Sequence, residues 1–235
     1  MKNKLDILYI IGDLNLGGTE KHLLNTLPYI KKEFNLSIYT FKEKGELSFY
    51  FEQNGIKVYT VFFSKYLNKL PKVLKFFFLL PITIINLFII IQKLKPKIIH
   101  MFLPESYIIG SISSYFNKNI IKIMSRRSKN YYFSKKFYLR SLEKFIHKKT
   151  DILIANSRSV FSDLIEECSD KEKIKIIYNG VKIPLINKFN VGSARIIEIK
   201  KKYNISNEIV IIFLANLIPY KNHALLINEI GRAHV

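Results

Sequence analysis

The sequence predicts an α/β protein built on a parallel sheet, and three observations carry that expectation. Short apolar runs alternate with longer stretches of helical periodicity, the pattern of repeated β-α units. The runs stop at strong local punctuation, such as the glycine-containing loop after Ile11, Lys95-Pro96 and Asn179-Gly180. At 235 residues, 49% apolar and 24% charged, the chain can bury a core over one or two domains and does not have a disordered composition.

Leu5 to Ile11 (LDILYII) reads as the first strand, and Thr19 to Lys32 as a helix with Leu23, Leu24, Leu27 and Ile30 at helical spacing. Strands follow at Leu36–Phe41 and Ile56–Phe62. The uncharged run Phe76–Ile91 then predicts a helix closed by Lys95-Pro96. Next come a strand at Lys97–Phe102, a helix at Pro104–Phe116, a strand at Ile120–Met124 and a basic helix at Tyr131–Lys148. Asp151–Ala155 is a strand, Asn156-Ser157 caps a helix at Arg158–Glu167, and Ile174–Tyr178 is a short strand. Residues 1–180 thus form one Rossmann-like domain. Periodicity fades over Val181–Gly192, which reads as a linker. The pattern then restarts with a helix at Arg195–Tyr203, a strand at Ile209–Leu214 and a helix opened by Pro219-Tyr220-Lys221, so residues 193–228 are expected to begin a second Rossmann-like domain.

The net charge of +20 attracts anions without choosing among phosphates, nucleic acid and an anionic membrane. Nearly all the basic residues are Lys in an Ile- and Asn-rich chain, which is also the mark of a biased coding composition. No nucleic-acid recognition motif occurs, and the aromatics sit inside apolar runs, so nucleic acid is not an expected partner. The single Cys168 excludes an internal disulfide framework. Neither CxxC nor HExxH is found, so no metal site is expected. The Phe76–Ile91 run is shorter than the about 20 residues a spanning helix needs, and it carries Pro81, Thr83 and Asn86. A buried or surface-lying helix is expected, and Lys65, Lys69, Lys72 and Lys75 beside it suit anionic headgroups. The amino terminus lacks a secretory signal pattern, which fits a cytoplasmic protein lying on the inner face of the plasma membrane.

Four places hold the candidate site residues. Gly17 and Gly18, in the loop GDLNLGGTE between the first strand and helix, let backbone N–H groups approach a phosphate at a helix amino terminus, or simply make a tight connection capped by Thr19. The loop is neither GxGxxG nor a Walker loop, which argues against a nicotinamide oxidoreductase. His100 ends the fourth strand, at the sheet edge where ligands bind, although a lone histidine is often structural. Arg126 and Arg127 follow the next strand, either as forks for phosphate or carboxylate or as a solvated basic loop. Lys221 opens a helix, as a point charge for a diphosphate or as an ordinary exposed lysine.

Together the stretches GGTEKHLLN, IIHMFLPE, SRRSKNYY, DILIANSRSVFSDLIEE, IYNGV and LANLIPYKNHALL resemble glycosyltransferase family 4, the retaining enzymes of the two-Rossmann GT-B fold, from Ile7 to about Leu226. The resemblance implies transfer of a sugar from a nucleotide-diphosphate sugar to a glycan or lipid-linked acceptor, with no metal or other cofactor. It places Gly17, Gly18 and Lys221 at the donor diphosphate, His100 beside the reacting sugar as the catalytic residue, and Arg127, with its neighbour Arg126, in the acceptor cleft. The chain departs from the family at Phe102, where a second histidine is common, and at Asn216, where an arginine is usual. The family's paired-glutamate segment for donor sugar and ribose is not reached. Residues 229–235, within EIGRAHV, read as a non-native tail. The expectation is a complete acceptor-side domain with one unit of the donor side, inactive by itself. The competing expectation is a non-catalytic fragment that binds acceptor or an anionic membrane.

Overall fold

The central strands of the sheet bury residues on both faces, which is why they run apolar at successive positions, whereas the edge strands are only partly buried. The computed structural model describes residues 4–61, 72–128, 137–168, 170–180, 193–215, 217 and 221–232. Its strands are β1 (Asp6–Ile11), β2 (Asn35–Thr40), β3 (Lys57–Thr60), β4 (Ile98–Phe102), β5 (Ile121–Arg126), β6 (Ile152–Ala155) and β7 (Ile174–Ile176). All seven are parallel, in the order β3-β2-β1-β4-β5-β6-β7. The chain winds outward from β1 to β3 and then returns to lay β4 beside β1. This reversal opens a crevice at the carboxyl ends of β1 and β4, where open α/β sheets bind ligands.

Alternation along the strands sorts the core into two layers. Ile7, Tyr9 and Ile11 of β1 pack with Leu23 and Leu27 of helix α1 (Gly18–Ile30) and Phe51 of α2 (Ser48–Gln53). Leu8 and Ile10 point to the opposite layer, built from α3 (Lys72–Leu94), α4 (Pro104–Ser113), α5 (Phe137–Lys149) and α6 (Arg158–Glu167). Gly110 lets α4 press onto the sheet, because a Cβ there would stand 2.6 Å from Met101 Sδ. Ser157 caps α6 by accepting from the Val160 N–H, as the Asn156-Ser157 pair led one to expect.

The chain divides into two units, Met1–Lys182 and Ile183–Val235. The second contains α7 (Ser193–Lys202) and α8 (His223–Arg232). The strand expected at Ile209–Leu214 is not formed: residues 208–215 have no regular structure, and Ile209 is 93% exposed. A lone extended segment gains nothing from β-pairing, and among the described residues of this unit no strand is present to take its backbone hydrogen bonds. The expected linker, the first residues of the helix expected from Tyr131, and Lys65 and Lys69 lie outside the described residues. Among those described, no helix is long and apolar enough to cross a membrane.

Candidate functional site

The Gly12–Gly18 loop closes the crevice on the β1 side. The Gly12 carbonyl accepts from the N–H groups of Phe41 (3.1 Å) and Lys42 (2.8 Å), which ties the loop to the end of β2. Leu14 is buried beneath it, and Asp13 Oδ1 accepts from Asn15 N at 3.1 Å. Gly17 is the extended N-cap of α1 and makes no side-chain cap. A Cβ on Gly17 would stand 2.1 Å from Glu20 Oε2, so this carboxylate folds back over the glycine. Burial raises the Glu20 pKa, and Asp13 adds to the rise. Gly18 differs: a Cβ there meets nothing within 4 Å. The protein's own packing does not require glycine at 18, and the space beside it is open.

Across the crevice the strand-to-helix turn is strained. Leu103 has φ 72° and ψ 153°, a region almost reserved for glycine, and it sits between the last residue of β4 and Pro104. Such a backbone costs on the order of 1–3 kcal/mol and concentrates at functional edges.

His100 lies mid-strand, with Phe102 rather than His100 at the strand's end. Its ring clusters with those of Tyr9 and Phe102, with centroids 5.3 and 4.3 Å away, and those two rings also stack on each other at 6.1 Å. Nε2 shares a 2.7 Å hydrogen bond with Ser125 Oγ. Burial, reinforced by Arg127 and His22, lowers its pKa to about 3, so the imidazole is neutral at physiological pH. It can orient a hydroxyl through a hydrogen bond, but it does not carry a proton to a leaving group at neutral pH.

The two arginines part company, because neighbouring residues at a strand's end point to opposite faces. Arg127 takes the His100 side: its guanidinium carbon stands 5.1 Å from the Phe102 ring centre, and Nη1 donates to Asn179 Oδ1. Arg126 goes to the other layer, and the expectation that it holds an acceptor is corrected here. It is 5% exposed, and its guanidinium bridges Glu143 of α5 and Glu167 of α6, the latter at 2.6 Å. Burial works against its charge, but the two carboxylates outweigh that and raise its pKa. The Glu143, Glu167 and His147 ligand atoms lie within 4.8 Å of one another, and the Arg126 guanidinium already occupies both carboxylates of this grouping.

Beside Arg127 lies a cavity of about 280 Å³ lined by Tyr9, His22, His100, Phe102, Asn156 and their neighbours, with no carboxylate in its wall. Three buried polar atoms around it, His22 Nδ1, Arg127 Nε and Asn156 Oδ1, have no partner among the described residues. Unpaired buried polar atoms are costly, so this largely apolar cavity suits a guest that presents a few oxygens or an anionic group to those three atoms. Neither His22 nor Asn156 stands out in the sequence as a site residue, Asn156 reading only as half of a helix cap. His22 sits one helical turn past Gly18, a spacing that brings it to the same end of α1 as the loop. Lys221 belongs to the second unit, exposed and two residues before α8.

The model of the family described as Glycosyltransferase Family 4 matches residues 16–183. The chain belongs to glycosyltransferase family 4. Among solved structures this family-4 chain is similar to Anabaena HepE, crystallised in complex with UDP and glucose, at 17% identity and a TM-score of 0.69, over 97% of this chain and 58% of that one. It is similar to a glycosyltransferase from Rickettsia africae at 19% identity and a TM-score of 0.66, over 98% and 58%. It also resembles the lipopolysaccharide outer core galactosyltransferase WaaB, at 15% identity and a TM-score of 0.56, over 77% and 48%. These likenesses establish the GT-B type of α/β fold. The chain spans somewhat more than half the length of the first two of these proteins. A search of curated proteins returned no match.

Proposed function

We propose that this chain forms the acceptor-side domain, and the opening of the donor domain, of an enzyme that moves a sugar from a nucleotide-diphosphate sugar to an acceptor with retention of anomeric configuration. The observation that carries the proposal is the carboxylate-free cavity at the switch-point edge, where Arg127, His22 and Asn156 present unpartnered polar atoms. An acceptor that offers hydroxyls or a phosphate to those atoms and an apolar face, such as that of a sugar ring, to the rest matches this lining. The family match and the UDP complexes of HepE support a nucleotide-diphosphate sugar as donor.

In this reading Arg127, braced on Phe102, fixes the acceptor, and neutral His100, packed against the Tyr9 and Phe102 rings, orients a sugar hydroxyl. Backbone N–H groups at Gly17 and Gly18 and the Lys221 ammonium meet the donor diphosphate. Charge accumulating on the departing diphosphate is then stabilised by Lys221, without a metal ion. Glu20 must leave its position over Gly17 for a diphosphate to approach, since like charges repel across so short a gap. The acceptor is a cell-envelope polysaccharide or a lipid-linked glycan, met at the inner face of the plasma membrane. Catalysis belongs to a protein carrying this chain with a complete second domain, and the chain alone is inactive.

Isothermal titration of such a protein with a panel of nucleotide-diphosphate sugars, with and without EDTA, tests the donor assignment. Saturable binding of one donor, unchanged by EDTA, is expected. Absence of binding across the panel would remove the donor from the account.

A further inference from the structure

Among its described side chains, helix α3 is apolar on both sides, and one side is buried while the other is exposed. Thr83, Leu87 and Ile91 face inward and are buried, whereas Ile85, Phe88 and Ile89 form an outward stripe at helical spacing. The stripe continues onto the segment after α4, where Phe116 is 82% exposed and the Gln92 side chain joins the two parts by donating to Asn117 Oδ1 at 3.2 Å. A cleft of about 520 Å³ at this junction is lined by Phe116, Lys95, Lys97 and Lys118. Across residues 72–125 the only acid is Glu105, which is paired with Lys42 at the far, amino-terminal end of α4.

An apolar stripe edged by lysines, on a stretch of chain with a single acid, is complementary to one kind of surface. We infer that α3 and the Phe116 segment dock this domain on an anionic bilayer, with Ile85, Phe88, Ile89 and Phe116 entering the headgroup–acyl boundary and Lys95, Lys97 and Lys118 meeting lipid phosphates. The helix lies along the membrane, because none of the described helices is long and apolar enough to cross it. This inference rests on the membrane-surface part of the proposed function and supplies the residues that make the contact.

Co-sedimentation of the full chain with phosphatidylglycerol–phosphatidylcholine vesicles tests it, with pure phosphatidylcholine vesicles and free inorganic phosphate as the other arms. Binding to the anionic vesicles at low salt is expected, with loss in about 0.5 M salt and no competition from millimolar phosphate. The variant I85S/F88S/I89S should bind about tenfold more weakly, and K95Q/K97Q/K118Q on the order of 100-fold more weakly. Both should keep the parent's circular dichroism and urea midpoint, since every altered side chain is exposed. Equal binding by the parent and both variants would overturn the assigned face, and absence of binding by the parent would overturn docking altogether. A dimer that the serine variant disperses, without vesicle binding, would reassign the stripe to a second copy of the chain and also overturn the proposal. None of these outcomes bears on donor binding, which the nucleotide-sugar titration judges separately.

Discussion

The Arg127 guanidinium carbon stands 5.1 Å from the centre of the Phe102 ring, which brings a cation from the end of β5 over the last residue of β4. A flat guanidinium stacked on a ring loses little freedom when it binds an anion, and a lysine cannot reproduce that plane. In an enzyme carrying this chain, Arg127→Ala should raise the acceptor KM by about 10- to 100-fold with kcat less affected, and Arg127→Lys should recover only a small part. Steady-state kinetics with varied acceptor checks this.

Arg126 should behave oppositely. Removing it takes away the buried cation that Glu143 and Glu167 share, so Arg126→Ala should cost about 3 kcal/mol of stability. Arg127→Ala should cost less than about 1 kcal/mol. Urea unfolding of the two variants side by side distinguishes a structural arginine from a functional one within a single dipeptide.

His147 gives the fold an acid limit. It is 1% exposed, and burial, with Arg126 nearby, lowers its pKa to about 3. The unfolded chain, titrating near 6.5, therefore holds more protons than the folded chain between those two values. Stability falls as pH drops through that window, by about 1.4 kcal/mol per pH unit for this group. His100 shifts in the same direction and steepens the fall. His147→Phe should flatten the dependence between pH 6 and 4, which urea midpoints across pH will register.

Gly18 separates stability from binding. Its Cβ position is empty, so Gly18→Ala should leave stability unchanged or raise it by about 0.5–1 kcal/mol through loss of unfolded-state freedom. The same methyl stands where a diphosphate is proposed to approach, and donor affinity should fall about tenfold or more. Thermal unfolding and donor titration of the one variant test both halves.

Much of the sheet was legible because its strands are short and apolar and each ends at clear punctuation. Helix α6 fell on Arg158–Glu167 as expected, since a capping pair and a helical stripe agreed there. Helix α2 was missed because six residues are too few to show a helical period. The Ile209–Leu214 strand failed for a different reason: its composition suits a strand, but pairing is a tertiary property that no single segment carries. Arg126-Arg127 read as one basic unit because spacing in sequence hides the face each side chain takes. The partners that decide the matter, Glu143 and Glu167, lie 17 and 41 residues away.

The central proposed chemistry is sugar transfer from a nucleotide-diphosphate sugar. The direct measurement is proton NMR of the anomeric centre in the product made by a protein carrying this chain with a complete second domain, alongside its Lys221→Ala and His100→Ala variants. The expected result is a product with the donor's anomeric configuration, with transfer reduced by on the order of 100-fold or more in each variant and folding intact. Failure to transfer from any nucleotide-diphosphate sugar, an inverted product, or full activity in both variants would contradict the account.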